Sequence, residues 1–186
     1  VFACVPAYFL SALWISLPRW IYILVALAGL VQLGGWIIIL RTTKQYQVSI
    51  KSHLNSFTRI LFILCAIAYS IKLLLQAASA IPSLSYLTYG FRPIVIGYLH
   101  LVLLGVVSLF IATYSIAYNY FELTGIKKAG VVIFVAGIII NEIFLLVQGI
   151  ADLNYTSVPY MNEALLAAAL ILLFGLILMN IQKKSA

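Results

Sequence analysis

The sequence contains very little charge: 8% of its 186 residues are Asp, Glu, Lys or Arg, and only four residues are acidic. A soluble domain carries about 25% charged residues. In contrast, 65% of the residues are hydrophobic and the mean hydropathy is +1.16. A water-soluble globule cannot bury so much apolar surface, and a disordered chain has the opposite composition. The composition therefore excludes both classes and predicts an integral membrane protein.

Cysteine and the common catalytic motifs are equally scarce. Cys4 and Cys65 are the two cysteines, and both lie in apolar runs without a pairing pattern, which is typical of structural thiols. The sequence has no phosphate-binding glycine loop, no H-E-x-x-H motif and no G-x-S-x-G motif. Nucleotide chemistry and nucleophilic catalysis of the soluble kind are therefore not indicated.

Six apolar segments divide the chain, and each is about 17–24 residues long, the length that a transmembrane helix requires. No segment alternates apolar and polar residues as a β-barrel strand does. The sequence therefore predicts an all-α fold, a single polytopic integral membrane bundle of about six transmembrane helices over residues 1–186. The segments cover residues 1–17, 21–40, 58–80, 94–117, 130–151 and 164–181.

Basic residues between the segments predict the orientation, because cytoplasmic loops carry an excess of Lys and Arg. Only Arg19 and Arg92 lie at one end of the segments. Both termini are therefore predicted to be cytoplasmic, with the lipid bilayer as partner and the bacterial cytoplasmic membrane as location. The residues at the opposite, cytoplasmic end are Arg41, Lys44, Lys51, Arg59, Lys127, Lys128, Lys183 and Lys184.

Three ionisable residues, Lys72, His100 and Glu142, lie inside apolar segments, where a charge is costly and therefore informative. At 1.5 Å per residue, Lys72 lies roughly 21 Å and Glu142 roughly 18 Å from the inner ends of their helices. His100 lies roughly 9 Å below the outer surface. In a core of about 30 Å these depths nearly coincide. The sequence thus predicts that the three groups meet at one level of the membrane.

Further polar residues accompany these three, and helical spacing places several of them on shared faces. Two interpretations remain open. In one, Lys72 and Glu142 form a structural ion pair and the amide side chains join neighbouring helices. In the other, the polar residues line a functional cavity for a proton, an ion, a quinone, a lipid or a cofactor. The candidate residues besides His100 are Lys72, Glu142, Tyr69, Gln76, Tyr98, Asn141, Gln148 and Gln32.

Residues 98–105, Tyr-Leu-His-Leu-Val-Leu-Leu-Gly, resemble the tenth helix of the haem–copper oxidase subunit I superfamily and of its NnrS-like relatives. That helix carries two histidines near the outer surface, and the second is an axial ligand of a low-spin haem. His100 matches this second histidine, whereas Tyr98 stands in place of the first. The resemblance implies that haem b is the cofactor and that His100 is its metal ligand. It also implies that the chain is the C-terminal half of a twelve-helix protein.

The chain departs from this family at the copper site, because residues 1–17 contain no histidine pair. The resemblance therefore implies a degenerate relative that has lost copper-dependent oxygen chemistry and keeps one haem or none. Because the chain begins at Val1 rather than at Met, we expect a fragment of a longer protein. The missing N-terminal half or other membrane subunits are then the expected partners, and no nucleic acid is expected.

Three functions follow from these patterns. The first is a haem-binding or redox membrane protein that uses His100. The second is a transporter or channel that uses the intramembrane pair of Lys72 and Glu142. The third is a non-catalytic bundle that packs against partner subunits. The sequence leaves open whether the protein is an enzyme.

Overall fold

The computed structural model describes residues 19–79, 81, 91–120 and 123–181, which are helical almost throughout. Five helices in these ranges are long and apolar enough to cross a membrane, and no strand occurs within them. The prediction of an all-α membrane bundle is confirmed at this level. Residues 1–17, the first predicted span, lie outside the described residues. The presence of this span, which would bring the total to six, and the orientation of the termini therefore stay predictions.

The described helices begin and end close to the predicted segments, with local signals at their starts. Pro93 lies in the first turn of α4, where its missing N–H costs nothing. At the start of α5, Thr124 Oγ1 accepts the backbone N–H of Lys127 at 3.5 Å, so this helix begins before its apolar segment. The bounds are α1 Arg19–Gln45, α2 Gln47–His53, α3 Ser56–Ser79, α4 Arg92–Ala117, α5 Gly125–Leu153 and α6 Met161–Asn180.

The middle of α4, Leu101–Ser108, is a π-helix between two α-helical halves, Arg92–His100 and Leu109–Ala117. The Ser108 hydroxyl donates to the carbonyl oxygen of Leu103, five residues earlier, at 2.8 Å. A π-helix is rare and occurs often at functional sites. The sequence analysis did not predict it, because hydrophobic composition alone does not distinguish the two kinds of turn. The π-helix begins directly after His100, at Leu101.

Helices α5 and α6 approach each other through glycines. A Cβ atom on Gly130 would lie 2.8 Å from the backbone nitrogen of Met179, and one on Gly175 would lie 2.7 Å from that of Phe134. Such distances are too short for real side chains, so glycine is required for this close contact. Helix α5 also packs against α4, α4 packs against α3, and α3 packs against α1. Large apolar side chains remain exposed on all five spans, as a lipid environment requires.

Candidate functional site

Contacts between α3 and α4 fix how these antiparallel helices align. The Cys65 thiol donates to the carbonyl oxygen of Val106 at 3.6 Å, and the rings of Phe62 and Phe110 lie 6.3 Å apart. Continuing this alignment toward the other end of α3 places Lys72 at the level of His100.

Contacts between α4 and α5 fix the alignment of the second antiparallel pair. A Cβ atom on Gly97 would lie 3.5 Å from Leu145 Cβ, and one on Gly149 would lie 3.1 Å from Ile94 Cγ1. One helical turn beyond Gly97 and Leu145, this alignment brings His100 opposite Glu142.

The imidazole of His100 is fixed by its own helix. Its Nδ1 lies 2.9 Å from the carbonyl oxygen of Ile96. Because a carbonyl oxygen only accepts hydrogen bonds, Nδ1 carries the proton in this contact. Nε2 is then the ring nitrogen that can accept a proton or bind a metal. The half-buried ring lies at the junction between the first half of α4 and the π-helix.

The α5 side of this contact has unmet hydrogen-bonding capacity. Asn141 is 6% exposed, and its Nδ2 is buried without a hydrogen-bond partner among the described residues. Oε1 of Glu142 is also buried without a hydrogen-bond partner among the described residues. An unpaired polar atom inside a membrane is expensive. A donor and an acceptor in this state on adjacent residues are typical of a place that binds a water or an ion.

Lys72 belongs to a second polar cluster, between α3 and α1. Its Nζ donates to Oε1 of Gln76, and Nε2 of Gln76 donates to Oε1 of Gln32 at 3.0 Å. Nζ also lies 5.8 Å from the centroid of the Tyr69 ring, a cation–π distance. These contacts join four of the predicted residues into one network and direct it toward α1.

The structure therefore distributes the predicted residues over two interfaces. Lys72 makes the described contacts on the α1 side of α3, whereas Glu142 lies on α5 at the level of His100, where α4 and α5 pack together. Their ion pair stays a prediction. Tyr98 is two residues from His100 and so points to a different side of α4, and Gln148 lies two turns along α5 from Asn141.

Two residues that the sequence analysis did not select complete the cluster at α1. Trp36 Nε1 donates to the hydroxyl of Ser70 at 2.8 Å, and its ring meets that of Tyr69 edge to face at 4.6 Å. Trp36 is four residues from Gln32 and therefore on the same helix face. That spacing is the signal by which it could have been found.

Comparisons of the chain with family models, with curated proteins and with solved structures find no match. The resemblance to haem–copper oxidases therefore stays a prediction, and the function has to be argued from the site itself.

Proposed function

We propose that the protein conducts protons across the membrane through Glu142 and His100. The observation that carries this proposal is the packing of α4 on α5 through Gly97 and Leu145, an alignment that brings His100 and Glu142 to the same level of that interface. Ionisable residues inside transmembrane helices are expensive, and chains of Asp, Glu and His are the usual groups of intramembrane proton relays. Imidazole also changes its charge near neutral pH more readily than any other side chain.

The proton can pass directly between the carboxyl group and the imidazole of this pair. Glu142 in its carboxylic acid form donates a proton to Nε2 of His100, which leaves a carboxylate beside an imidazolium, and the reverse step restores two neutral groups. The pair keeps a net charge of zero in both states, which limits the cost in an apolar medium. Nδ1 of His100 keeps its proton on the carbonyl oxygen of Ile96 throughout.

The unpaired atoms beside the pair support the same function. Asn141 Nδ2 can donate to a water, and Glu142 Oε1 can accept from it. Buried waters usually satisfy such otherwise unpaired groups. A water held there would extend the relay from the carboxyl group along α5.

Proton flux into sealed liposomes tests this proposal. The purified protein is reconstituted with a pH-sensitive dye inside, and a potassium diffusion potential drives protons inward. We expect flux above that of protein-free liposomes and a loss of roughly 100-fold in Glu142→Gln, because an amide cannot exchange a proton. His100→Gln is expected to lose flux in the same way.

Glu163→Gln is the matched control, because Glu163 is exposed at the start of α6. It should retain the flux of the unmodified protein. A Glu142→Gln protein that is folded and as fast as the unmodified protein would refute the proposal. Liposomes with unmodified protein that are no faster than protein-free ones would refute it as well.

Haem binding is the second candidate, and the Nδ1 contact of His100 with Ile96 favours it. Metal-binding histidines usually fix the other ring nitrogen in this way. His100 would be the axial ligand that the described residues offer. They include no second histidine in a membrane span and no group of three His, Cys, Asp or Glu side chains that could hold a metal. The fit to haem b is therefore partial, and further ligands would have to come from outside the described ranges.

An absorption spectrum of the purified protein, with and without added haemin, tests this candidate. A Soret band that is lost in His100→Ala and kept in His53→Ala would support it, since His53 is exposed in the short helix α2. Spectra without a Soret band under both conditions would remove it.

A further inference from the structure

The two halves of α4 pack against different neighbours. The half that carries His100 meets α5 through Gly97 and Leu145, where a Cβ on the glycine would lie 3.5 Å from Leu145 Cβ. The other half meets α3 through the rings of Phe110 and Phe62, 6.3 Å apart. The π-helix is the joint between these two contacts.

The π-helix also sets the rotation of one half relative to the other. In an uninterrupted α-helix, Gly97 and Phe110 would lie about 140° apart around the axis. The i→i+5 turns of a π-helix hold more residues per turn, so they change this angle. A return of the joint to α-helical hydrogen bonds, with the Phe110 half held by α3, would rotate the half that carries His100.

From these contacts we infer that the π-helix is a hinge, and that rotation of residues 92–100 moves the His100 imidazole toward and away from the Glu142 carboxyl group. This inference rests on the proposed proton conduction, for which it supplies the gating movement. While the imidazole faces the carboxyl group, Glu142 gives its proton to Nε2 of His100. When the ring turns away, the imidazolium gives that proton to a water, and a second water reprotonates the Glu142 carboxylate. Such a movement requires that the Gly97–Leu145 contact opens in each cycle.

A reversible disulfide at that contact tests the hinge. The distance of 3.5 Å between the ideal Gly97 Cβ and Leu145 Cβ lies in the range of disulfide geometry. The pair Gly97→Cys and Leu145→Cys is introduced into a protein with Cys4→Ser and Cys65→Ala, which must itself conduct. Oxidation is expected to abolish proton flux, and reduction by dithiothreitol is expected to restore it.

The control places a disulfide between the joint itself and α3. A Cβ on Gly105 would lie 3.5 Å from Ala68 Cβ, so Ala68→Cys with Gly105→Cys joins the π-helix to α3. In the proposed hinge, α3 stays packed against the second half of α4 while residues 92–100 rotate. Because this bond joins α4 to α3 and does not join residues 92–100 to α5, we expect part of the proton flux to survive. Each single cysteine variant should conduct under oxidising and reducing conditions alike.

The outcomes separate the hinge from the proposed function. Full flux in the oxidised Gly97–Leu145 variant, with the cross-link verified by mass spectrometry, would overturn the hinge while leaving proton conduction intact. Absence of flux in the unmodified protein would overturn conduction itself. If the double variant does not fold, cross-linking of Gly149→Cys with Ile94→Cys replaces it, because a Cβ on Gly149 would lie 3.1 Å from Ile94 Cγ1 at the same interface.

Discussion

Gln76 and Asn141 are two amide side chains of equal burial, each 6% exposed, but their hydrogen-bond states are opposite. Gln76 accepts from Lys72 and donates to Gln32. Asn141 Nδ2 has no partner among the described residues. A satisfied amide stabilises the fold, whereas an unsatisfied one costs free energy and is typical of a place that binds a water or an ion. Substitution by leucine, which is of similar size to both, can therefore distinguish the stabilising role of Gln76 from the functional role of Asn141.

Gln76→Leu should lower the free energy of unfolding by about 1–3 kcal/mol, because it deprives Gln32 and Lys72 of a buried partner. Asn141→Leu should leave the stability unchanged or raise it, and it should reduce proton flux. Reversible unfolding in mixed micelles, followed by circular dichroism, measures both changes. An equal loss of stability in the two variants would contradict this assignment.

Close helix packing in this protein depends on where glycine is placed. Gly130, Gly137 and Gly175 lie where a Cβ would meet the neighbouring helix at 2.7–2.9 Å. Within the described ranges, no atom lies within 4 Å of a Cβ on Gly34, in α1. The same residue type therefore serves as a contact surface in α5 and α6, but not at this position of α1.

Gly175→Ala should destabilise the protein by about 1–3 kcal/mol, because the added methyl group forces α5 and α6 apart. Gly34→Ala is the matched control and should be neutral or stabilising by up to about 1 kcal/mol, since alanine favours a helix more than glycine. Thermal unfolding of both variants in the same detergent measures the difference. The packing description fails if both substitutions have the same effect.

At the scale of the whole molecule, most basic residues of the described ranges lie at one end of the five spans, whereas Arg19 and Arg92 lie at the other end with two acidic residues. Arg59 and Lys128 lie in the starts of α3 and α5, whereas Asp152 and Glu163 lie at the opposite ends of the bundle. The positive-inside rule assigns the basic end to the cytoplasm. The orientation can be measured directly.

Single cysteines at the two ends report that orientation, in a protein without Cys4 and Cys65. Ser52→Cys in α2 should be protected from a membrane-impermeant maleimide in intact cells, and Ser157→Cys between α5 and α6 should react. Both positions are exposed, so permeabilised cells should label at both. The opposite pattern in intact cells would reverse the predicted topology.

The sequence by itself determined the class of the protein and the position of its spans. Charge is nearly absent from runs of about 20 residues, and lipid permits only helices there. It also predicted a common depth for His100 and Glu142, because helical rise converts residue number into depth. Neither result depends on which helices are neighbours.

Only the tertiary structure decided which polar groups meet. Depth does not specify the direction of a side chain, so Lys72 could not be assigned from sequence to the cluster at α1 rather than to Glu142. The π-helix was equally hidden, because its apolar residues are compatible with either hydrogen-bond pattern. Rotation about helix axes and the choice of neighbours result from packing across the bundle, which local sequence patterns do not encode.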